Sequence, residues 1–359
     1  MILACGGGPD GEATGFKYWK DPGAIKPYIT TGATGNFLAV WSTFVTATFA
    51  YLGTELVGVT VGEAQNPRKT IPRAIRLTFY RILIFYCLSV FLLGMILPYN
   101  SPDLLYATKQ SAGANASPFV AAIKLSGIRH LPGILNACIL LFVFSASNSD
   151  LYIASRTIYG LALEGKAPKF LAQTDKRGVP IYALGLSASF ALLAFMNVST
   201  SSKEVFGYFV NLTTIFGILT WISILVTHIF FVNARRAQGI TDEQMPYTAP
   251  LGKSGSIGAL FMCCLIAIFK NFDVFTPKFN AKSFVTGYLG IPLYLIMIFG
   301  YKILMKSSPI KPEEVDLFSG KDRIDREEEE FLRQQEIKKQ GQAPSGGQWF
   351  YKKFVSWLF

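Results

Sequence analysis

A single carboxylate, Glu55, stands in an apolar stretch from Phe37 to Val61 that the pair Gly53 and Thr54 interrupts. At membrane depth an ionisable group is disfavoured by several kcal/mol unless it faces a cavity, meets a partner or takes up a proton. A glycine beside it loosens the helix at a point where polar backbone can line a cavity. The competing reading is a polar residue buried against a neighbouring helix as packing glue. Carboxylate, helix breaker and small residues coincide here, which favours a functional site. A second polar group, Ser145, Asn148 and Asp150, lies in another apolar stretch and carries more polarity than a lipid face tolerates. These side chains are expected to face protein or a water path, with a buried ion pair between Asp150 and Arg156 as an equal alternative.

Other chemistries find no support. His130 and His228 are far apart, neither is near a candidate nucleophile, and no Gly-rich phosphate loop follows a strand pattern. The chain reads as a non-enzyme without cofactor. Four of the five cysteines, Cys87, Cys138, Cys263 and Cys264, fall in apolar runs, and with Cys5 they give no metal-ligand spacing and no disulfide framework.

The elements that must hold these residues follow from composition. With 51% hydrophobic and 16% charged residues in 359, the chain is too unevenly apolar for a soluble domain and reads as an all-α, polytopic helical membrane protein. A bilayer core requires about twenty mostly apolar residues per helix, and seven stretches meet the need: Asn36 to Val61, Phe79 to Leu97, Leu131 to Leu163, Ile181 to Met196, Val205 to Val232, Ser256 to Phe272 and Phe284 to Met305. Residues 1–35 then form an external segment, 36–305 the membrane domain and 306–359 a cytoplasmic tail. Gly207, Thr213, Thr214, Gly217 and Thr220 read as small residues for close helix packing.

The net charge of +11 is not a nucleic-acid footprint, because Lys and Arg cluster in short loops between apolar runs. Arg68, Lys69, Arg73, Arg76 and Arg81 follow the first stretch, and Lys166, Lys169, Lys176 and Arg177 the third. Arg235 and Arg236 follow the fifth, and Lys306 and Lys311 the seventh. This asymmetry places those loops in the cytoplasm and sends the first helix inward. Sequons at Asn115 and Asn197 are then external, and one at Asn211 is inaccessible within a span. Met1 to Pro9 lacks the pattern of a signal peptide. The charge-rich run from Asp325 to Lys339 suggests a solvated helix. The aromatic and basic end, Trp349 to Phe359, suits a headgroup interface. Pro67 and Pro72 bracket a basic cluster and are expected to stop helix propagation there.

The run Phe49-Ala50-Tyr51-Leu52-Gly53-Thr54-Glu55-Leu56-Val57-Gly58, followed by Gly62-Glu63-Ala64 and Asn66-Pro67-Arg68-Lys69, resembles the sixth transmembrane helix and following loop of fungal amino-acid permeases. The likeness continues through Leu97 to Asn100, Ala116 to Val120, Ser145 to Ser149 and Gly165 to Pro168, and covers nearly the whole chain. Asn148-Ser149-Asp150, Val205 to Val210 and Gly290-Ile291-Pro292 are more similar to the dicarboxylic branch of that family. The resemblance implies the second half of a twelve-helix inverted-repeat fold, in which the substrate sits where the first and sixth helices unwind.

Carried onto this sequence, the likeness makes Phe49 to Glu55 the unwound piece. The backbone of Phe49, Ala50, Tyr51, Gly53 and Thr54 would meet the amino acid, Phe49 or Tyr51 would gate access, and Ser145 and Asn148 would line the pocket. Free backbone groups and helix-dipole ends suit a substrate carboxylate and ammonium. Glu55 would exchange the coupling proton, since a carboxylate in a low-dielectric cavity takes up a proton more readily. The implied partners are an amino acid, a proton and the lipid bilayer, not nucleic acid, and the implied location is integral to the plasma membrane. Helices equivalent to the family's first five have no counterpart in this sequence, and Met1 to Pro22 resembles the end of the fifth and the loop after it. The expectation is therefore a truncated form that does not transport alone. His228-Ile229-Phe230-Phe231 departs from the family, which usually has a basic residue after the isoleucine. Seven spans with an external amino terminus also fit a seven-helix receptor, and a transporter-like nutrient sensor differs only in output. The Gly53 break and the proline-bracketed loop speak against the receptor.

Overall fold

The computed structural model describes residues 3–8, 11–59, 61, 64, 66–102, 104–105, 117–124, 127, 130–198, 202–276 and 278–341. Among them six helical stretches are long and apolar enough to cross a membrane, and no strand occurs.

The first crossing is broken. Helix α1, Gly32–Tyr51, ends at Leu52, and the chain resumes as the single turn α2, Leu56–Val59. The second begins far earlier than the apolar pattern suggests. Helix α3, Pro67–Ile82, opens with Pro67 in its first turn, continues through a wide π-type turn at Leu83–Leu88 and ends as α4, Ser89–Ile96. Pro72 lies inside α3 and does not stop it. Near a helix start a proline forfeits one backbone bond, to the carbonyl four residues back, and the remaining turns carry the helix past it. Hydropathy marks only the immersed part of such a helix, which is why its basic first turns escape a search for apolar runs.

Helix α5, Pro118–Lys124, leads into α6, Leu131–Leu163, whose bounds coincide with the third apolar stretch. Helix α7, Ile181–Ser189, passes into tight 3₁₀ turns over Phe190–Val198, and its apolar helical run is shorter than the six spanning ones. Then follow α8, Ser202–Ala237, α9, Gly252–Phe269, α10, Ala281–Tyr288, and α11, Gly290–Leu304. The long α8 is the hub, touching α1, α9, α10 and α11. Its Ile215, Ile218 and Leu219 form the buried core with Ala267 of α9, and Ile291 and Tyr294 of α11 pack against them. Small residues permit the approach. A Cβ on Gly290 would lie 2.8 Å from Ile215, so any larger residue there would push α11 off the hub. Trp41 of α1 donates its indole N–H to the carbonyl of Phe269 at 3.2 Å, which fixes α1 against α9. Many apolar side chains elsewhere face outward, Leu140, Leu141, Phe142 and Phe144 among them, as expected of helices that meet lipid or further helices.

The charged tail forms a helix as its sequence suggests, α12, Lys321–Gly341, but it is docked and not free in solvent. Arg68, in the first turn of α3, donates to Glu328 at 2.7 Å and also to Asp325. Gln238, just past α8, donates to the carbonyls of Pro312 at 3.1 Å and Val315 at 2.7 Å, so the segment before α12 is held too. Arg235 pairs with Asp242 in the loop after α8, and this pairing holds the Asp242 carboxyl below its ordinary range. Partly exposed ion pairs contribute little each, so Arg68→Gln is expected to cost about 1 kcal/mol locally. The expected result is roughly fivefold faster amide exchange in α12 with an unchanged melting temperature for the membrane bundle. Unchanged exchange in α12 would show that Arg68 does not hold it. Residues 342–359, with the aromatic and basic end, lie outside the described residues, as do Asn115, Ala116 and Ser199 of the sequons and Gly62, Glu63 and Gln65.

Candidate functional site at the helix break

The break between α1 and α2 is local chemistry as much as packing. Leu52 leaves the helix with φ −58° and ψ 144°, and its N–H still bonds to Thr48 and Phe49 carbonyls. Gly53 then takes φ +96°, a conformation that side chains other than hydrogen resist. The helical ladder cannot close across this point. No backbone hydrogen bond between described residues takes up the carbonyls of Ala50 and Tyr51. The unwound segment is therefore Leu52 to Glu55, shorter than the expected Phe49 to Glu55: Phe49, Ala50 and Tyr51 form the last turn of α1. They lend the site carbonyl groups at a helix end, where the dipole is negative, rather than a fully extended backbone.

Glu55 sits within this gap, half-buried. Its Oε2 accepts the Gly53 N–H at 3.1 Å and the indole N–H of Trp221, on α8, at 3.0 Å. Both bonds fall on one oxygen, and Oε1 accepts none among the described residues. Oε1 therefore has both lone pairs available to a further donor. The α8 hub also makes room for the break. A Cβ on Gly217 would lie 2.1 Å from a Leu52 methyl, so Leu52 seats against α8 because position 217 is glycine.

The other expected residues are distributed around this point. Tyr51 turns toward the second crossing, its ring centroid 5.4 Å from that of Tyr86 and its hydroxyl 4.0 Å from the Cys87 sulfur. Phe49, Ala50 and Thr54 are exposed beside the gap. Ser145, Asn148 and Asp150 are exposed on α6, and Asp150 lies close enough to Glu55 for the two charges to interact. Since Asp150 is exposed, it is no half of a buried pair, and Arg156 stands over the Tyr152 ring at 5.5 Å. Trp221 is the partner that residue patterns missed. An indole far along the chain can serve as lipid anchor or packing residue equally well, and only the approach of α8 to α1 makes it a donor to Glu55. His228 is 2.7 Å from the Ser256 hydroxyl and ties α8 to α9, away from the gap. No group of three or more His, Cys, Asp or Glu side chains suited to a metal occurs among the described residues.

A bundle of membrane-length helices, with one crossing broken around a held carboxylate, defines a helical integral membrane transporter architecture. Residues 1–311 match the amino acid permease family, and the chain belongs to it. It is 51% identical to the dicarboxylic amino acid permease of Saccharomyces cerevisiae over 100% of this chain and 60% of that protein. It is 42% identical to an amino-acid permease of Schizosaccharomyces pombe, over 88% of this chain and 60% of that protein. To the proline-specific permease of Emericella nidulans it is 37% identical, over 91% of this chain and 60% of the relative. The chain thus spans about 60% of the length of these relatives, all of them permeases and none an enzyme.

Proposed function

We propose that the complete protein moves amino acids across the plasma membrane by proton symport, with a preference for acidic ones, and that the gap at Leu52 to Glu55 is half of its substrate site. The observation that carries this reading is the Glu55 carboxylate, held through one oxygen by Gly53 and Trp221 with the other oxygen open. Beside it the carbonyls of Ala50 and Tyr51 can accept from a substrate ammonium group, and Phe49, Gly53 and Thr54 border the same gap. In this role Glu55 takes up the coupling proton, while Ser145 and Asn148 line the path on the α6 side. The acidic preference is supported by the 51% identity to a dicarboxylic amino acid permease. Residues 1–35 are assigned to the outside, 36–305 to the membrane and 306–359 to the cytoplasm.

The 359 residues alone are proposed not to transport. Thr54, Ser145, Asn148 and Asp150 are exposed, so the gap has a wall on the α8 side and lies open opposite it. A chimera that supplies the remaining helices from the Saccharomyces relative tests the reading. Labelled glutamate and aspartate should accumulate in cells in response to an inward proton gradient, should stop accumulating when a protonophore is added, and should outcompete lysine and proline. Accumulation indifferent to the protonophore would remove proton coupling, and equal uptake of lysine would remove the acidic preference.

A further inference from the structure

A polar cavity of about 430 Å³ opens at the end of the bundle where α1 and α10 begin, the end that the proposed orientation places outside. Every side chain lining it except Val274 carries a polar group. Part of that lining comes from residues outside the helices, Tyr28, Thr276, Lys278 and Asn280, and part from within them, Ser42 and Asn211.

Lys270, at the end of α9, is its most informative member. The residue is only 2% exposed, and its ammonium group donates to the carbonyl of Asn211 on α8 at 2.9 Å. An ammonium has three donors and no acceptor, and no carboxylate pairs with it among the described residues. A buried cation left with one neutral acceptor is costly, and an anion entering the cavity would relieve that cost. A charge of opposite sign lines the same recess three residues on. Asp273 accepts the Tyr28 hydroxyl through Oδ2 at 3.2 Å, which leaves its second oxygen for another donor. Burial and this carboxylate both push the Tyr28 phenol above its ordinary range, so it remains a donor. Asn271 donates its amide NH2 to the Ser283 carbonyl at 3.5 Å, and the amide oxygen of Asn280 accepts the Ser283 N–H at 3.1 Å. Among the charged groups of the lining, the buried Lys270 ammonium and one Asp273 oxygen have no partner of opposite charge among the described residues, and the exposed Lys278 adds a second positive charge.

We propose that this cavity binds a free amino acid as its zwitterion, the carboxylate on Lys270 and the ammonium group on Asp273, at a site separate from the Glu55 gap. The volume is ample for a small amino acid with a few waters. Lysine is suited to the task as a compact point charge that meets a carboxylate end-on. Such a site would hold substrate at the mouth of the bundle ahead of the gap.

Calorimetric titration of the 359-residue chain in lipid nanodiscs tests the proposal, with L-glutamate, glutarate and sodium chloride as probes. The expected result is one saturable L-glutamate site, weakened at least tenfold by Lys270→Met and by Asp273→Asn and unchanged by Lys253→Met, a lysine bonded to Asn233 near the other end of the bundle. Lys270→Met removes a buried charge and can disturb the helices. Asp273 lies on an exposed turn, so its neutral variant tests the contact in an intact bundle. Absence of saturable glutamate binding overturns the proposal, and so does full affinity in either variant. Glutarate binding as tightly as glutamate would show that no ammonium is read, and chloride saturating the site would make it one for inorganic anions. Either result overturns the zwitterion assignment.

Discussion

Glu55→Gln in the completed permease is expected to abolish the dependence of amino-acid uptake on external pH. Glutamine keeps the shape of the side chain, and its amide oxygen can still accept from Gly53 and from the Trp221 indole, so the gap should retain its geometry. What the variant loses is the ability to exist in two protonation states. If Glu55 carries the proton, concentrative uptake driven by a proton gradient falls to background, a loss of at least about tenfold, while exchange of labelled for unlabelled amino acid persists. That split separates a coupling role from a binding role, since removal of a binding contact would suppress exchange as well. Trp221→Phe serves as the companion. It deletes one donor but leaves the carboxylate, and it should lower uptake without abolishing its dependence on pH. A Glu55→Gln protein that concentrates amino acid with an unaltered pH profile would exclude Glu55 as the carrier.

The second large effect is expected at Gly53. With φ at +96°, any residue bearing a Cβ is strained at this position, at a cost of roughly 1 to 3 kcal/mol. Space is not the obstacle, because the nearest neighbour to an added methyl would be a Leu56 methyl at an ordinary 3.5 Å. The strain is in the backbone. Gly53→Ala therefore favours a straighter path through the gap, displaces the N–H that Glu55 accepts, and should lower uptake roughly tenfold. Gly58, in α2, is the internal control. Its surroundings are open and its φ is not in the left-handed region, so Gly58→Ala should leave thermal stability unchanged or raise it by up to about 1 kcal/mol through helix propensity. Thermal unfolding in detergent, read beside uptake, distinguishes the two sites. Equal behaviour of the two alanine variants would mean that the positive φ at Gly53 is not needed.

Hydropathy alone located α6 to the residue, and α8, α9 and the run from α10 through α11 to within a few residues, because an apolar run of membrane length has few alternatives to a helix. The same argument failed where helix and bilayer do not coincide. The first turns of α3 are helical yet basic, and Ile181 to Met196 is apolar yet splits into a short helix and 3₁₀ turns. The carboxylate beside a glycine was legible as a candidate site for an energetic reason, since nothing in a lipid-facing helix would compensate Glu55. The extent of the break was not legible. It depends on where Leu52 finds room, and that room is the missing side chain of Gly217, on a different helix.

That this chain is helical, that it lies in the membrane and that Glu55 is out of place there are properties of the residues in their order. They follow from the free energy of moving each side chain and backbone group out of water, a sum over residues that needs no knowledge of neighbours. Packing in three dimensions is what lets Trp221 hold Glu55, Arg68 clasp the tail helix and Tyr28 reach Asp273 at the polar recess. Each of these joins residues far apart in the chain, and their meeting depends on how the helices pack against one another, which no single segment encodes.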